Sequence, residues 1–411
     1  MNRLRRLAAN RLLDAGAILI AVSVLAILAV ILPSRWSDFD FNHYYVGSRT
    51  LIEGHNPYRT PLKPMTEALG FRYSDEYPIA GYPPSFLWLF APLAAMPPRV
   101  AFAFWVAVEA GCFVAILWLT RRLLGTRLSS RGWLFVLALA ISSRAVSYNF
   151  YFSQLQLLLA ALVLAGYSAQ CAGRHGWACL AVSAAGILKF YPFVLLPWFI
   201  WSGGNNVRGR LYRAAGAVAF ILAVMALTGR GLWRDFFQFG MPMGVGEEIA
   251  RTFHYSVPAF VTNLGYLYHG FHPSPEAKHW WWTLGTIIGL GIIAAAYVAC
   301  YMTHCDPEAE FCLLTVAMLM GTVTVQGHYL VFLIFPLAVA AVRVAARPTM
   351  GKIIYLMFFV LAANYIDPPE SAFLWRHLLL YIFISSVPLY GLFGLGIYFS
   401  RELRFRGTKT A

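Results

Sequence analysis

The sequence predicts an all-α fold: a polytopic helical membrane protein of about twelve transmembrane helices, forming one integral domain over residues 1–411. Three observations predict it. Charged residues make up only 12% of the 411 residues and hydrophobic ones 59%, whereas a soluble chain carries about 25% charged residues. The deficit runs along the whole chain, which argues against a soluble domain with one anchor. The apolar runs are also helix-length. They are unlike the ~10-residue alternating segments of a membrane barrel, the other structure that satisfies backbone polar groups in hydrocarbon.

Taken in order, the expected spans are 15–33, 99–120, 132–148, 154–170, 177–189, 191–201, 212–228, 280–302, 310–325, 328–346, 351–366 and 374–399. The first follows the basic stretch Met1–Arg11 and has no small-x-small cleavage pattern before Pro33, so it reads as an uncleaved span. The pair 177–189 and 191–201 is short and broken at Pro192. Residues Pro84–Met96, between Tyr82-Pro83-Pro84 and Pro97-Pro98, are apolar but too short to cross and read as re-entrant or interfacial. Within the first loop, Tyr44–Glu53 is amphipathic and ends in Gly54-His55-Asn56-Pro57-Tyr58. Glycine and Asn-Pro stop a helix there, which predicts a short juxtamembrane helix.

Alternating the spans from a cytoplasmic N-terminus places 19 of the 32 basic residues inside against 5 of the 18 acidic ones, with both termini cytoplasmic. The acidic segment Thr303–Glu310 runs against that trend. The remaining loops, 34–83, 229–279 and 367–373, face outward, and loops of such length in a compact membrane protein are usually functional. The first two are expected to roof a site. The net charge of +14 does not indicate nucleic acid, because the basic residues sit in short inter-span segments that set topology. The six cysteines show no metal-ligand spacing and read as buried free thiols. No inverted or direct repeat appears, which disfavours a secondary transporter.

Under this topology Asp38, Asp40, Arg144, Asn149, Gln154, Gln156, Lys189, Glu247, Glu248, Arg251 and His328 converge at the outer ends of the spans. Polar groups at membrane depth are costly and tend to mark sites. Asp40, between an apolar span and the amphipathic helix, is the candidate catalytic carboxylate, with Asp38 as runner-up; the Asp-x-Asp pair is also a weaker candidate for a divalent metal. Lys189 closes the run Ala181–Leu188 and is either a snorkelling lysine or a cation that holds a phosphate. His328 is either structural or a proton-handling partner of an aspartate. Gln154 and Gln156 suit sugar hydroxyls or helix–helix contacts equally.

The order of these motifs resembles glycosyltransferase family 87, the polyprenol-phosphate-mannose-dependent α-mannosyltransferases and relatives. Asp40-Phe-Asn-His-Tyr44-Tyr45-Val-Gly47 running to Gly54-His-Asn-Pro57-Tyr58 is similar to its first-loop "D-x-x-x-Y-Y-x-G/A … G-x-x-P-Y". Tyr82-Pro83-Pro84 with Ala91–Pro97, Ser153-Gln154-Leu155-Gln156, Ile187–Pro192 and Gly327-His328-Tyr329 resemble "Y-P-P … P-L-A-x-L-P", "G-Q-x-N", "x-x-K-x-x-P" and "W-x-H-Y/H". Ser153, Gln156 and Gly327 depart from that pattern, and His254-Tyr255-Ser256 stands where an Asn-x-Ser-like element is expected.

The resemblance implies a GT-C type fold in the cell membrane, with its active site on the outer face. It further implies transfer of a hexose, mannose above all, from a polyprenyl-phosphate donor to a lipid or glycan acceptor. Asp40 is then the base and His328 its partner, while Lys189, Arg144 and Arg251 hold the donor phosphate. Tyr44, Tyr82, Gln154, Gln156, Glu247, Glu248 and Tyr329 are candidate sugar or acceptor contacts. The reaction is an inverting displacement expected to need no metal or other cofactor. The alternative is a flippase or transporter of a lipid-linked saccharide.

Overall fold

The computed structural model describes residues 2–36, 39–73, 81–204, 206–241, 255–269, 274–303, 306–346, 349–364 and 377–407. Among them every regular element is helical. The α-helices are α1 (Asn2–Ile31), α2 (Phe39–Ile52), α3 (Lys63–Ala68), α4 (Pro84–Ala94), α5 (Pro98–Leu124), α6 (Ser130–Ser142), α7 (Arg144–Phe152), α8 (Gln156–Cys171), α9 (His175–Leu188) and α10 (Leu196–Trp201). They continue with α11 (Val207–Leu227), α12 (Arg230–Asp235), α13 (Val257–Tyr268), α14 (Pro275–Thr303), α15 (Pro307–Gly321), α16 (Ile334–Ala346), α17 (Met350–Ala363), α18 (Leu378–Ser385) and α19 (Val387–Gly407).

Five described segments are long and apolar enough to cross a membrane: Asp14–Ser34, Pro98–Arg127, Val207–Leu227, Pro275–Thr303 and Gly327–Ala346. Two bent pairs, α6 with α7 (43°) and α18 with α19 (50°), raise this to seven if each pair is one span. The other apolar runs form shorter helices, because Gly, Pro and polar residues interrupt them. The expected span 310–325 stops at Gly321, and an extended Thr322 leads to a 3-10 segment, Gly327–Leu333. Helix α4 is 11 residues long, as its proline brackets imply.

Helix α15 forms the centre. Every residue from Ala309 to Gly321 is buried, as expected of a helix that is apolar all round. Around it pack α14 and α19, while α5, α8 and α9 form a second layer. On α14, Gly285 and Gly289 are four residues apart and face α13 and α15. A Cβ on Gly285 would lie 2.7 Å from the Pro258 carbonyl oxygen, and one on Gly289 would lie 2.8 Å from that of Gly321. This is the small-xxx-small contact by which helices approach closely without a hydrophobic driving force.

The described cysteines are free. Cys179, Cys300 and Cys312 are buried and Cys112 is half-buried, as read from the sequence, whereas Cys171 is exposed. Cys305 lies outside the described residues.

Helix α2 begins five residues earlier than its amphipathic pattern suggested, so Asp40 lies in its first turn instead of in the preceding loop. An acidic side chain is favoured there by the helix dipole. The helix is largely covered by α4. Tyr45 Oη donates to the Met96 carbonyl at 2.6 Å and Ser48 Oγ to the Leu87 carbonyl at 2.8 Å. A Cβ on Gly47 would lie 3.1 Å from a Leu87 methyl, so the small residue sets how closely the two helices approach.

Candidate active site

The site is built where α2, the turn before α4, the end of α9 and the 3-10 segment after α15 meet. Tyr44, one helical turn after Asp40, is fully buried and lies within electrostatic reach of Asp40, Tyr82 and Glu109. Burial, with the neighbouring Tyr82 and Asp40, pushes its phenol well above the usual range, so Tyr44 acts as a neutral hydroxyl. Its ring meets Tyr82 edge-on at 4.7 Å, and its hydroxyl donates to the Tyr82 hydroxyl at 3.4 Å.

Tyr82 forms one wall around Lys189. Helix α9 ends at Leu188, and Lys189 follows with an extended backbone. Its Nζ lies 5.4 Å from the Tyr82 ring centre and 4.8 Å from that of Tyr329. Aromatic faces attract an ammonium group. Among the described residues Lys189 has no carboxylate partner.

Tyr329 leads to His328, which is 3% exposed, and the two rings lie 4.9 Å apart. The His328 loop is fixed from two sides. Asn149 Nδ2 on α7 donates to the His328 carbonyl at 2.8 Å. The Tyr255 amide donates to the Val325 carbonyl at 2.6 Å, and Ser256 Oγ donates to that of Val323 at 3.0 Å. Arg144 stands on the other flank of this loop. Its Nη2 donates to Tyr148 Oη at 2.6 Å, its Nη1 to Tyr255 Oη at 3.4 Å, and its guanidinium carbon lies 4.3 Å from the Tyr148 ring centre. A row therefore runs from Asp40, within electrostatic reach of Tyr44, through the contacts of Tyr44, Tyr82, Lys189 and Tyr329 to His328, with Arg144 beyond.

Gln154 and Gln156 are buried in the turn joining α7 to α8, and Gln156 Nε2 donates to Gln154 Oε1 at 3.3 Å. Gln156 Oε1 is left without a partner. The structure shows the surroundings of two departures from the family pattern. Ser153 is the sole non-glycine residue with positive φ among the described residues, at 52°, a left-handed conformation that favours glycine. Gly327 faces Tyr148, whose ring lies 3.3 Å from where a Cβ would be; Tyr148 fills the space that a larger residue at 327 would take.

Asp38, Glu247, Glu248, Arg251 and His254 lie outside the described residues, as do residues 367–373. Among the described residues no three His, Cys, Asp or Glu side chains gather as a metal-binding group. Three features were not read from the sequence. Glu109, on α5, is 1% exposed with both carboxyl oxygens unpartnered among the described residues, and lies within electrostatic reach of Asp40. As the lone acid in the run 99–120, it carried a signal. Asn56 and Arg59 bind the buried Asp235, and Tyr58 Oη donates to the Tyr82 carbonyl at 2.7 Å. These join positions far apart in sequence, which no local pattern announces.

Apolar helices of membrane-crossing length define an integral membrane protein, within which a lysine and several polar side chains lie in one row. The profile of glycosyltransferase family 87 matches residues 81–336. The chain belongs to that family and is a membrane glycosyltransferase. The match begins beside Tyr82 and ends beyond His328, so it takes in four of the five motifs; the pattern from Asp40 to Tyr58 precedes it. No curated protein matches the chain.

Proposed function

We propose that this glycosyltransferase moves a hexose, mannose in the first instance, from a polyprenyl-phosphate donor to a lipid or glycan acceptor. In this reading about twelve membrane passes form a GT-C type domain in the cell membrane, with both termini cytoplasmic. Helix α2 lies at the outer surface, and loops 34–83 and 229–279 roof the site. The observation that carries the reading is Lys189, held between the Tyr82 and Tyr329 rings without a carboxylate partner among the described residues, in one row with the Asp40 helix. A phosphate is the ligand such a cation suits, and the sugar it bears then extends toward Asp40.

The reaction is a single displacement. The acceptor hydroxyl gives its proton to the Asp40 carboxylate as its oxygen bonds to the sugar's C1. The bond from C1 to the phosphate oxygen breaks, its electron pair stays on that oxygen, and the anomeric centre inverts. Lys189, with Arg144 and Arg251, stabilises the charge developing on the departing polyprenyl phosphate. His328 assists at the base, and Tyr44, Tyr82, Gln154, Gln156, Glu247, Glu248 and Tyr329 contact sugar or acceptor. The leaving group is already a good anion and needs positive charge more than an acid, so the chemistry runs without a metal.

Asp40→Asn is expected to lower transfer by about 100-fold or more, the usual scale of general-base loss, while the protein is produced and folded as before. Near-normal turnover in that variant would remove Asp40 from the role and make Asp38 the base.

A further inference from the structure

The seat of Lys189 is built from two pieces of chain that share one anchor. The first is the Asn56–Arg59 turn. Asn56 Nδ2 and Arg59 Nε both donate to Asp235 Oδ2, at 2.7 and 2.8 Å, and Arg59 Nη2 donates to Oδ1 at 2.7 Å. Asn56 Oδ1 also accepts from the Tyr58 amide at 3.0 Å, which fixes the turn from within. Tyr58 Oη then holds the backbone of Tyr82, whose ring faces Lys189.

The second piece is the segment that contains Asp235 itself. Trp233, Phe236 and Phe237 surround Phe190, the residue directly after Lys189, at ring-centre distances of 6.3, 5.8 and 5.9 Å. Tyr58 also packs on Phe236 at 5.6 Å, so the two pieces touch. The backbone at Phe236–Gly240 is a π-helical turn, a form that occurs frequently at functional sites.

Asp235 is 3% exposed, and among the described residues its carboxylate is the group that is hydrogen-bonded to the first piece and covalently part of the second. Its hydrogen bonds are charge-assisted and, to Arg59, bidentate, the geometry that fixes orientation as well as distance. We propose that Asp235 is a positioning residue for the donor: through the Asn56–Arg59 turn and the Phe190 aromatic cluster it fixes Lys189 where the phosphate binds, without touching the substrate. This rests on the assignment of Lys189 to the donor phosphate.

The test is a double-mutant cycle on the full-length protein in nanodiscs, with Asp235→Asn, Lys189→Met and the pair. Donor KM and kcat are read with polyprenyl-phosphate mannose, and binding alone with polyprenyl phosphate. Asp235→Asn is expected to raise donor KM and weaken polyprenyl-phosphate binding ~10-fold, with any loss of kcat no larger than that of Lys189→Met, since Lys189 also acts on the departing phosphate. In the Lys189→Met background it should add less than ~2-fold, because the two act as one unit. Arg59→Gln removes the same bidentate contact from a half-exposed position and should reproduce the KM effect if Asp235→Asn fails to fold; Arg59→Lys should restore part of it. Independent, multiplying effects of Asp235 and Lys189, or lost kcat and thermal stability at unchanged donor KM, would overturn the proposal. A wild-type protein that neither binds polyprenyl phosphate nor transfers its sugar overturns the donor reading itself.

Discussion

At the scale of single residues, position along α2 decides chemistry. Asp40, His43 and Tyr44 occupy one turn and a half, yet their surroundings give them different roles. Tyr44 is sealed among Tyr82, Phe86, Phe90 and Trp105. Desolvation pulls His43 down to about 4, so it is a neutral imidazole at physiological pH. This has a consequence for stability. The unfolded chain takes up a proton at His43 near pH 6.5, whereas the folded protein resists until about 4. The stability tied to its neutral form is therefore complete above pH 6.5 and is lost as pH falls through that window, at up to about 1.4 kcal/mol per pH unit. Thermal unfolding of the detergent-solubilised protein between pH 7 and 4 reads this directly: His43→Gln should flatten the slope, and an unchanged slope would place the effect elsewhere. Nothing in the sequence around His43 distinguishes it from a solvated histidine, since its burial is set by the folded structure.

At the scale of elements, the sequence was most informative where local chemistry sets a boundary. Pro83-Pro84 and Pro97-Pro98 bracket α4, because proline fixes φ and withholds an amide, and Gly54, with φ of 79°, closes the first-loop helix after Ile52. It was least informative where a helix's partner decides its start, as at Phe39–Asp40. The turn 153–156 lies between these cases. Its Gln-x-Gln pattern was legible, but the reason the family places glycine before it emerges from the left-handed backbone of Ser153. A side chain there costs about 1–2 kcal/mol relative to a right-handed conformation. Ser153→Gly is thus expected to stabilise the protein by about 1 kcal/mol while leaving donor specificity unaltered. A lower melting temperature would show that the Ser153 side chain holds the α7–α8 turn by contacts that outweigh its strain. The anchoring of Asp235 by Asn56 and Arg59 is the opposite extreme, joining residues about 180 positions apart.

At the scale of the whole molecule, several residues that alternation assigns to the same side pair with one another. Asp14 pairs with Arg131, Glu308 with Arg127 and Arg343, and Glu402 with Arg343 and Lys352. Asn56, Arg59 and Asp235, like Asn149 with His328, are bonded among residues that it assigns to the other side. The acidic segment 303–310, which ran against the charge bias, supplies counter-ions: Asp306 and Glu308 hold Arg343, whose side chain is 10% exposed, between three helices. A count of charges by loop cannot see such pairing. Arg343→Met strips a buried cation from three carboxylates and is expected to destabilise by about 3 kcal/mol, read as a lowered melting temperature, with activity per folded molecule retained. An unchanged melting temperature would mean that Arg127 and Lys352 suffice.

The most direct test of the central claim is transfer by the purified wild-type protein in nanodiscs. The donor is radiolabelled polyprenyl-phosphate mannose, a crude lipid extract supplies the acceptor, and EDTA is present throughout. Label passing to a new lipid or glycan despite the chelator is the predicted result. Absence of transfer from this donor and from its glucose and arabinose counterparts, with the protein folded, would contradict the polyprenyl-phosphate assignment and favour movement of a lipid-linked saccharide across the membrane.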